Sequence, residues 1–286
     1  LFRSADAPLL PAQSAVGACL AGDRGVLRGL HGAFGLAAWP GAWRNVERAG
    51  SGRYGNVMDN TGLASGKGHR DENFPVASLL IKPEYRPPVM AYYRFARAAD
   101  DVADHPTASV DEKLARLAQL RAGLDGQGAP EAMALRDVMA ERSIDPVNAH
   151  DLLNAFERDV TVNRYADWDD LIGYCRYSAM PVGRFVLDVH GESRATWPAN
   201  DALCAALQII NHLQDCGKDY RTIDRVYLPA DALVAHGAGV DMLGADRAAP
   251  ELRAVIVDLA RRTQGLLAES AIFPSQVRDV RLAMNV

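Results

Sequence analysis

Three aspartates stand within five residues, at Asp100, Asp101 and Asp104, and Tyr93 and Arg97 precede them. On a helix advancing about 100° per residue, Tyr93, Arg97, Asp100 and Asp104 share a stripe roughly 60° wide. Stacked like charges cost an isolated helix a few tenths of a kcal/mol, so the pattern asks for a cation. A second stripe follows at Gln208, Asn211, Asp215 and Asp219, within about 80° on a helix, and every side chain in it offers an oxygen. Paired carboxylates with an amide oxygen suit Mg²⁺, which completes its octahedron with water and substrate phosphate. Two such stripes facing each other would clamp a diphosphate through bridging metals, which would act as Lewis acids on the departing group. One ladder alone is a common solvated helix face. Two, each preceded in register by polar residues, are not.

Helices must carry these ladders, and the periodicity supplies them. Leu114, Leu117, Ala118 and Leu124 mark a helix over 110–124, closed by Gly126 and Gly128. Asp145 reads as an N-cap with Pro146 at the first helical position. Asp167, with Asp170 three residues on, predicts a helix from 167 to about 189. Asn200 is expected to cap the helix that bears the second ladder, and 251–270 forms another. Residues 276–286 still read as helical. No alternating strand pair appears, so the expected fold class is all-α, in one domain.

The chain has 286 residues, 49% hydrophobic and 23% charged, which suits a folded domain that needs no staples. No apolar run approaches the length of a bilayer-spanning helix. Cys19, Cys175, Cys204 and Cys216 form no CxxC pair and have no histidine at zinc spacing, so reduced thiols are expected. The net charge of −5 is uneven: residues 1–70 hold 8 Lys/Arg against 4 Asp/Glu, leaving 23 against 32 for the remainder. An acidic body argues against nucleic acid as a partner and suits a collector of divalent cations. Residues 1–67 lack a sustained period and are expected to be a flexible or misassigned leader. The domain proper is expected to span 68–286, cut short at its C-terminus.

Tyr-x-x-x-Arg-x-x-Asp-Asp-x-x-Asp at 93–104 and Gln-x-x-Asn-x-x-x-Asp-x-x-x-Asp at 208–219, followed by Arg225-Val226-Tyr227-Leu228-Pro229, resemble the squalene and phytoene synthase family. The resemblance implies a single helical bundle of the isoprenoid synthase type with a central cavity. It implies that Asp100, Asp104, Asn211, Asp215 and Asp219 hold Mg²⁺ on a diphosphate. Tyr93, Arg97 and Gln208 would border that site, Arg225 would contact substrate, and Tyr227 would lie near the reacting centre. Tyr174, Ala179, Val182 and Gly183 would line a prenyl tunnel, with Phe74 at its side. Pro181 and Gly183 inside a helical stretch predict a kink, and small Ala179 and Gly183 would leave room for a long chain. Lys218 would contact the leaving phosphate or stand in solvent. His212, off the aspartate stripe, would pack or influence water capture. Arg278 and Arg281 would reach toward the diphosphate from the last helix.

The wording at 72–78, 178–184 and 211–220 is similar to one bacterial branch of the family, the hydroxysqualene synthases of the hopanoid route. That branch implies Mg²⁺-dependent conversion of presqualene diphosphate to hydroxysqualene or squalene, without NADPH. Gln214 and Lys218 depart from the phytoene-type pattern, which has an arginine and an acidic residue there. The alternative within the family is head-to-head condensation of two farnesyl diphosphates, or a phytoene-type synthase. A non-catalytic assembly factor would be expected to lose aspartates from one ladder, and both ladders are complete. Such substrate and product are long hydrocarbons with little water solubility, and the chain has no spanning helix, so a cytoplasmic protein in peripheral contact with the inner membrane is expected; the branch implies a sister synthase and a flavin oxidoreductase as partners.

Overall fold

The computed structural model describes residues 81–284 and Val286. Residues 1–67, expected to be a leader, Cys19, and Phe74 with its surrounding motif lie outside the described residues. Among the described residues eleven α-helices follow in order: α1 (Arg86–Ala103), α2 (Val110–Leu124), α3 (Pro130–Arg142), α4 (Val147–Thr161), α5 (Trp168–Ser178), α6 (Met180–Val189), α7 (Trp197–Ile223), α8 (Ala230–Ala235), α9 (Pro250–Ser270), α10 (Phe273–Gln276) and α11 (Val280–Ala283). Among the described residues there is no strand, only one parallel bridge between Arg164 and Val226. The fold is an all-α bundle.

Local chemistry sets most of the helix ends. Ser109 opens α2 with a capping box, accepting from the Glu112 amide while the Glu112 carboxylate accepts from the Ser109 amide. Asp167 caps α5 by accepting from the Asp170 amide at 2.9 Å. Asp145 does accept from the Val147 amide, but Pro146 itself takes the cap position, so α4 begins one residue later than expected. Asn200 is not a cap. Helix α7 starts at Trp197, with Pro198 in its first turn, and Asn200 is buried inside it. The helix expected over 167–189 breaks at Ala179, whose ψ of −47° comes with an extended φ of −122°, and Pro181 restarts it as α6. Residues 276–286 are not one helix either, because Val277 adopts extended backbone between α10 and α11.

Two hydrophobic clusters organise the bundle. In the first, α1 packs with α2, α3 and α4 through Phe95, Leu117, Leu135, Leu152 and Leu153, with Phe185 of α6 stacked on Tyr92. The second gathers around α7, which lies along α9 and touches α5 and α6 through Ile209, Leu213, Val255, Ile256 and Leu259. Burying each such side chain contributes about 1.5–3 kcal/mol. The ladder-bearing helices α1 and α7 thus belong to different clusters.

Gly183 lets α6 and α7 approach closely. A Cβ placed there would lie 2.1 Å from Asn200 Oδ1 and 2.6 Å from Cys204 Sγ. The expectation that its small size leaves room for a long substrate chain is therefore corrected, because side chains of α7 fill that space.

A polar latch closes the end of the bundle where α1 begins. Asp279, just before α11, accepts from Lys82 at 2.9 Å and contacts His190 Nδ1 at 3.2 Å. Buried Glu192 accepts from the backbone amides of Arg278 and Asp279. Arg278 also donates to the Gly191 carbonyl, which ties it to the end of α6 and not to the aspartate ladders.

Candidate active site

The first ladder lies on the C-terminal half of α1. Arg97, almost wholly buried, donates to Asp100 at 3.2 Å and Asp101 at 2.8 Å. Tyr93 is buried one turn earlier. Asp104 stands at the C-cap, where Arg225 Nη1 donates to its Oδ1 at 3.0 Å.

Arg225 reaches Asp104 because of how α7 ends. Asp224 takes a left-handed conformation, with φ of 49°, and the Arg225 amide turns back onto the Asp219 carbonyl. Aspartate is among the few side chains that tolerate this region. Arg164 holds it there by donating to both its backbone and its carboxylate. The chain then runs beside residues 163–166, where the Val226 amide donates to the Asn163 carbonyl.

From this position the buried Arg225 guanidinium makes three further contacts. It donates to the Tyr227 hydroxyl at 3.3 Å and to the Asp159 carbonyl at 2.8 Å, and it lies 3.7 Å from the Asp159 carboxylate. Burial alone would lower its pKa, but Asp159, Tyr227, Asp104 and Tyr174 outweigh that and hold it firmly charged. Asp159 also accepts from the Tyr174 hydroxyl at 2.8 Å.

An aromatic wall stands behind this polar junction. Tyr227 stacks on His212 at 3.5 Å between ring centroids with an 11° tilt, and on Tyr165 at 5.4 Å with 18°. Tyr174 packs against Tyr165, Tyr227 and His212 at 5.3, 5.5 and 6.0 Å. All four rings are buried.

On the second ladder, Gln208 and Asp219 are buried while Asn211 and Asp215 are partly exposed. Lys218 is exposed. Ala179 is fully buried at the helix break, and Val182 packs on the first cluster. Cys175, Cys204 and Cys216 are buried, and burial pushes the first two thiols up to about 12, so they stay protonated.

The structure therefore brings Asp104, Tyr174, Arg225 and Tyr227 into one network, with Arg97 tying Asp100 to Asp101 beside it. Asp159 and Tyr165 also belong there, although the sequence reading passed over them. Asp159 carried a signal: it continues the buried face of Leu152 and Phe156 on α4, where a carboxylate needs a cation. Tyr165, in a loop, carried none.

Among the described residues, no three His, Cys, Asp or Glu side chains form a group that could hold a metal ion. Mg²⁺ is usually held by one or two carboxylates, with substrate phosphate and water completing its shell. The all-oxygen donors of the two ladders are of the right chemistry for such an ion.

Comparison with known proteins decides the family. The profile described as Squalene/phytoene synthase matches residues 68–286. The chain belongs to this family. Within the squalene/phytoene synthases, it is 53% identical over 250 residues to the hydroxysqualene synthase of Zymomonas mobilis, covering 86% of this chain and 84% of that protein. It is 56% identical to the hydroxysqualene synthase of Rhodopseudomonas palustris, covering 78% and 77%. The crystal structure of squalene synthase HpnC from Alicyclobacillus acidocaldarius superimposes with a TM-score of 0.66 at 34% identity, covering 74% of this chain and 81% of that one. This squalene/phytoene synthase family member is an isoprenoid synthase-type enzyme, and its bundle is of that fold.

Proposed function

We propose that the enzyme converts presqualene diphosphate to hydroxysqualene with release of diphosphate. The observation that carries this reading is Arg225, which joins Asp104 of the first ladder to Tyr227 and Asp159 of the aromatic wall. A diphosphate held at the ladders would have its hydrocarbon directed toward those rings. The hydroxysqualene synthase relatives support the choice of substrate.

Mg²⁺ held by Asp100, Asp104, Asn211, Asp215 and Asp219 would supply Lewis-acid charge to the departing diphosphate. The protein's own residues have separate tasks. Arg97 and Arg225 fix the first-ladder carboxylates, so little reorganisation is needed as charge develops. Asp159 orients the Tyr174 phenol. The buried rings of Tyr165, Tyr174 and Tyr227 exclude bulk water from the junction. Gln208 and Tyr93 border the diphosphate, Lys218 and Arg225 lie on its polar side, and Ala179 and Val182 border the hydrocarbon.

No helix among the described residues is long and apolar enough to cross a membrane. The same reading places the enzyme in the cytoplasm in peripheral contact with the inner membrane, between a sister synthase that supplies substrate and a flavin oxidoreductase that consumes product.

The test is incubation with presqualene diphosphate and, separately, farnesyl diphosphate, each with Mg²⁺ and with or without NADPH. Hydroxysqualene from presqualene diphosphate, unaffected by NADPH, is the expected product. Presqualene diphosphate formed from farnesyl diphosphate would establish the condensation instead.

A further inference from the structure

Tyr165 differs from its neighbours in one respect. The Tyr174 hydroxyl donates to Asp159, and the Tyr227 hydroxyl accepts from Arg225. The Tyr165 hydroxyl is buried and has no hydrogen-bond partner among the described residues, although the residue is only 1% exposed. A buried polar group left unbonded costs free energy and asks for an explanation.

The ring cannot swing away to find a partner. The Arg158 guanidinium lies 5.2 Å from its centroid, and Tyr227 stacks on it at 5.4 Å. Its backbone carbonyl accepts from the Ala230 amide at 2.9 Å, next to the Arg164–Val226 bridge. Burial first, then the nearby Asp159 carboxylate, keeps the phenol protonated. It is thus a fixed, neutral group that both donates and accepts, set in a wall otherwise made of ring faces.

We infer that Tyr165 is a positioning residue whose hydroxyl holds the water captured by the carbocation. The inference rests on the function proposed above and assigns the hydroxyl oxygen of its product. When the C–O bond to diphosphate breaks, diphosphate keeps the electron pair and the hydrocarbon carries the positive charge. A C–C bond of the cyclopropane then breaks, moving the charge along the opened chain, and a lone pair of the held water forms the new C–O bond there, while the surplus proton passes to the released diphosphate. A water so held needs two or more polar partners, and the Tyr165 hydroxyl with the nearby Asp159 carboxylate offers them.

The test is Tyr165→Phe in the full chain, with presqualene diphosphate and Mg²⁺, measuring the ratio of alcohol to alkene among products per diphosphate released. The ratio is independent of rate and of folded fraction. It is expected to fall at least fivefold, since a cation deprived of an oriented water loses a proton instead. The melting temperature is expected to hold or rise, because the substitution removes only an unbonded oxygen. An unchanged ratio overturns the inference. So does a variant that melts well below wild type or fails to fold, since the hydroxyl would then be structural. If wild type releases no diphosphate from presqualene diphosphate, the proposed function fails, and this inference fails with it.

Discussion

Arg225 and Asp104 are 121 residues apart in sequence, and their side chains meet at 3.0 Å. This contact joins the C-terminal ends of α1 and α7, the two helices that carry the aspartate ladders. Arg225 is 4% exposed in its side chain and Asp159 is 7%, so the pair is out of water.

Removing the guanidinium leaves the Asp159 carboxylate buried without it. Arg225→Leu is expected to lower stability by about 3–5 kcal/mol, the usual cost of breaking a buried charge pair. Arg225→Lys should recover part of that stability and little activity, because one ammonium cannot replace the planar fork that contacts Asp104, Tyr227 and Asp159 together. Chemical denaturation and diphosphate release, measured on both variants, check this.

Metal dependence is expected to belong to the ladders rather than to the core. Asp100→Asn and Asp215→Asn are each expected to reduce diphosphate release by at least 100-fold and to leave the helical circular dichroism intact. Both positions are partly exposed, so neither carboxylate supports packing. Excess chelator should abolish turnover, and Mg²⁺ should restore it. Full turnover in chelator would remove the metal from the reading.

Ala179 and Gly183 should separate. Gly183→Ala is expected to destabilise by about 1–3 kcal/mol, because its new methyl meets Asn200 and Cys204. Activity per folded molecule should survive. Ala179→Phe should instead reduce turnover of long isoprenoid substrates more than short ones. Thermal melts beside a chain-length series distinguish the two effects.

The latch should make the fold acid-sensitive. The Lys82 hydrogen bond, followed by backbone amides and His190, holds the Asp279 carboxyl at about 2 in the folded protein. Its unfolded value is about 3.9, so below that the unfolded chain binds more protons. Its stabilisation is complete above about pH 4 and is lost as pH falls toward 2. Burial lowers the His190 pKa, so this group also disfavours the folded state once pH drops below about 6.5. Asp279→Asn should melt lower than wild type at pH 7, with the gap closing as pH approaches 2. A gap independent of pH would dissociate the latch from Asp279 ionisation.

The proposed membrane contact is expected to rest on a local apolar patch and to survive salt, since the acidic body gives anionic lipid little to attract. Liposome flotation is expected to show binding that persists at high salt.

The ladders and most helices were legible in the sequence because periodicity alone fixes which side chains share a face. The break at Ala179 was only half legible: Pro181 announced a kink, but Pro181 is also a good first-turn residue, and that role split one helix into two. Asn200 was misread because its residue type favours caps while its burial beside Gly183 is a property of two packed helices. Arg225 and Asp159 lie 66 residues apart, and no spacing rule connects them. The contact depends on the left-handed turn at Asp224, a conformation that sequence assigns to glycine or asparagine before aspartate.

That turn also bears on how the enzyme is made. During synthesis α1 and α4 leave the ribosome long before Arg225 does, and closing loops of this length is slow. The first hydrophobic cluster can condense early from neighbouring helices, yet its inner edge carries Asp104 and Asp159 without their guanidinium until the chain has grown past α7. The half-built protein would therefore carry these carboxylates beside Tyr165 and Tyr174 before their cation arrives, an edge open to non-native contacts until α7 closes over it.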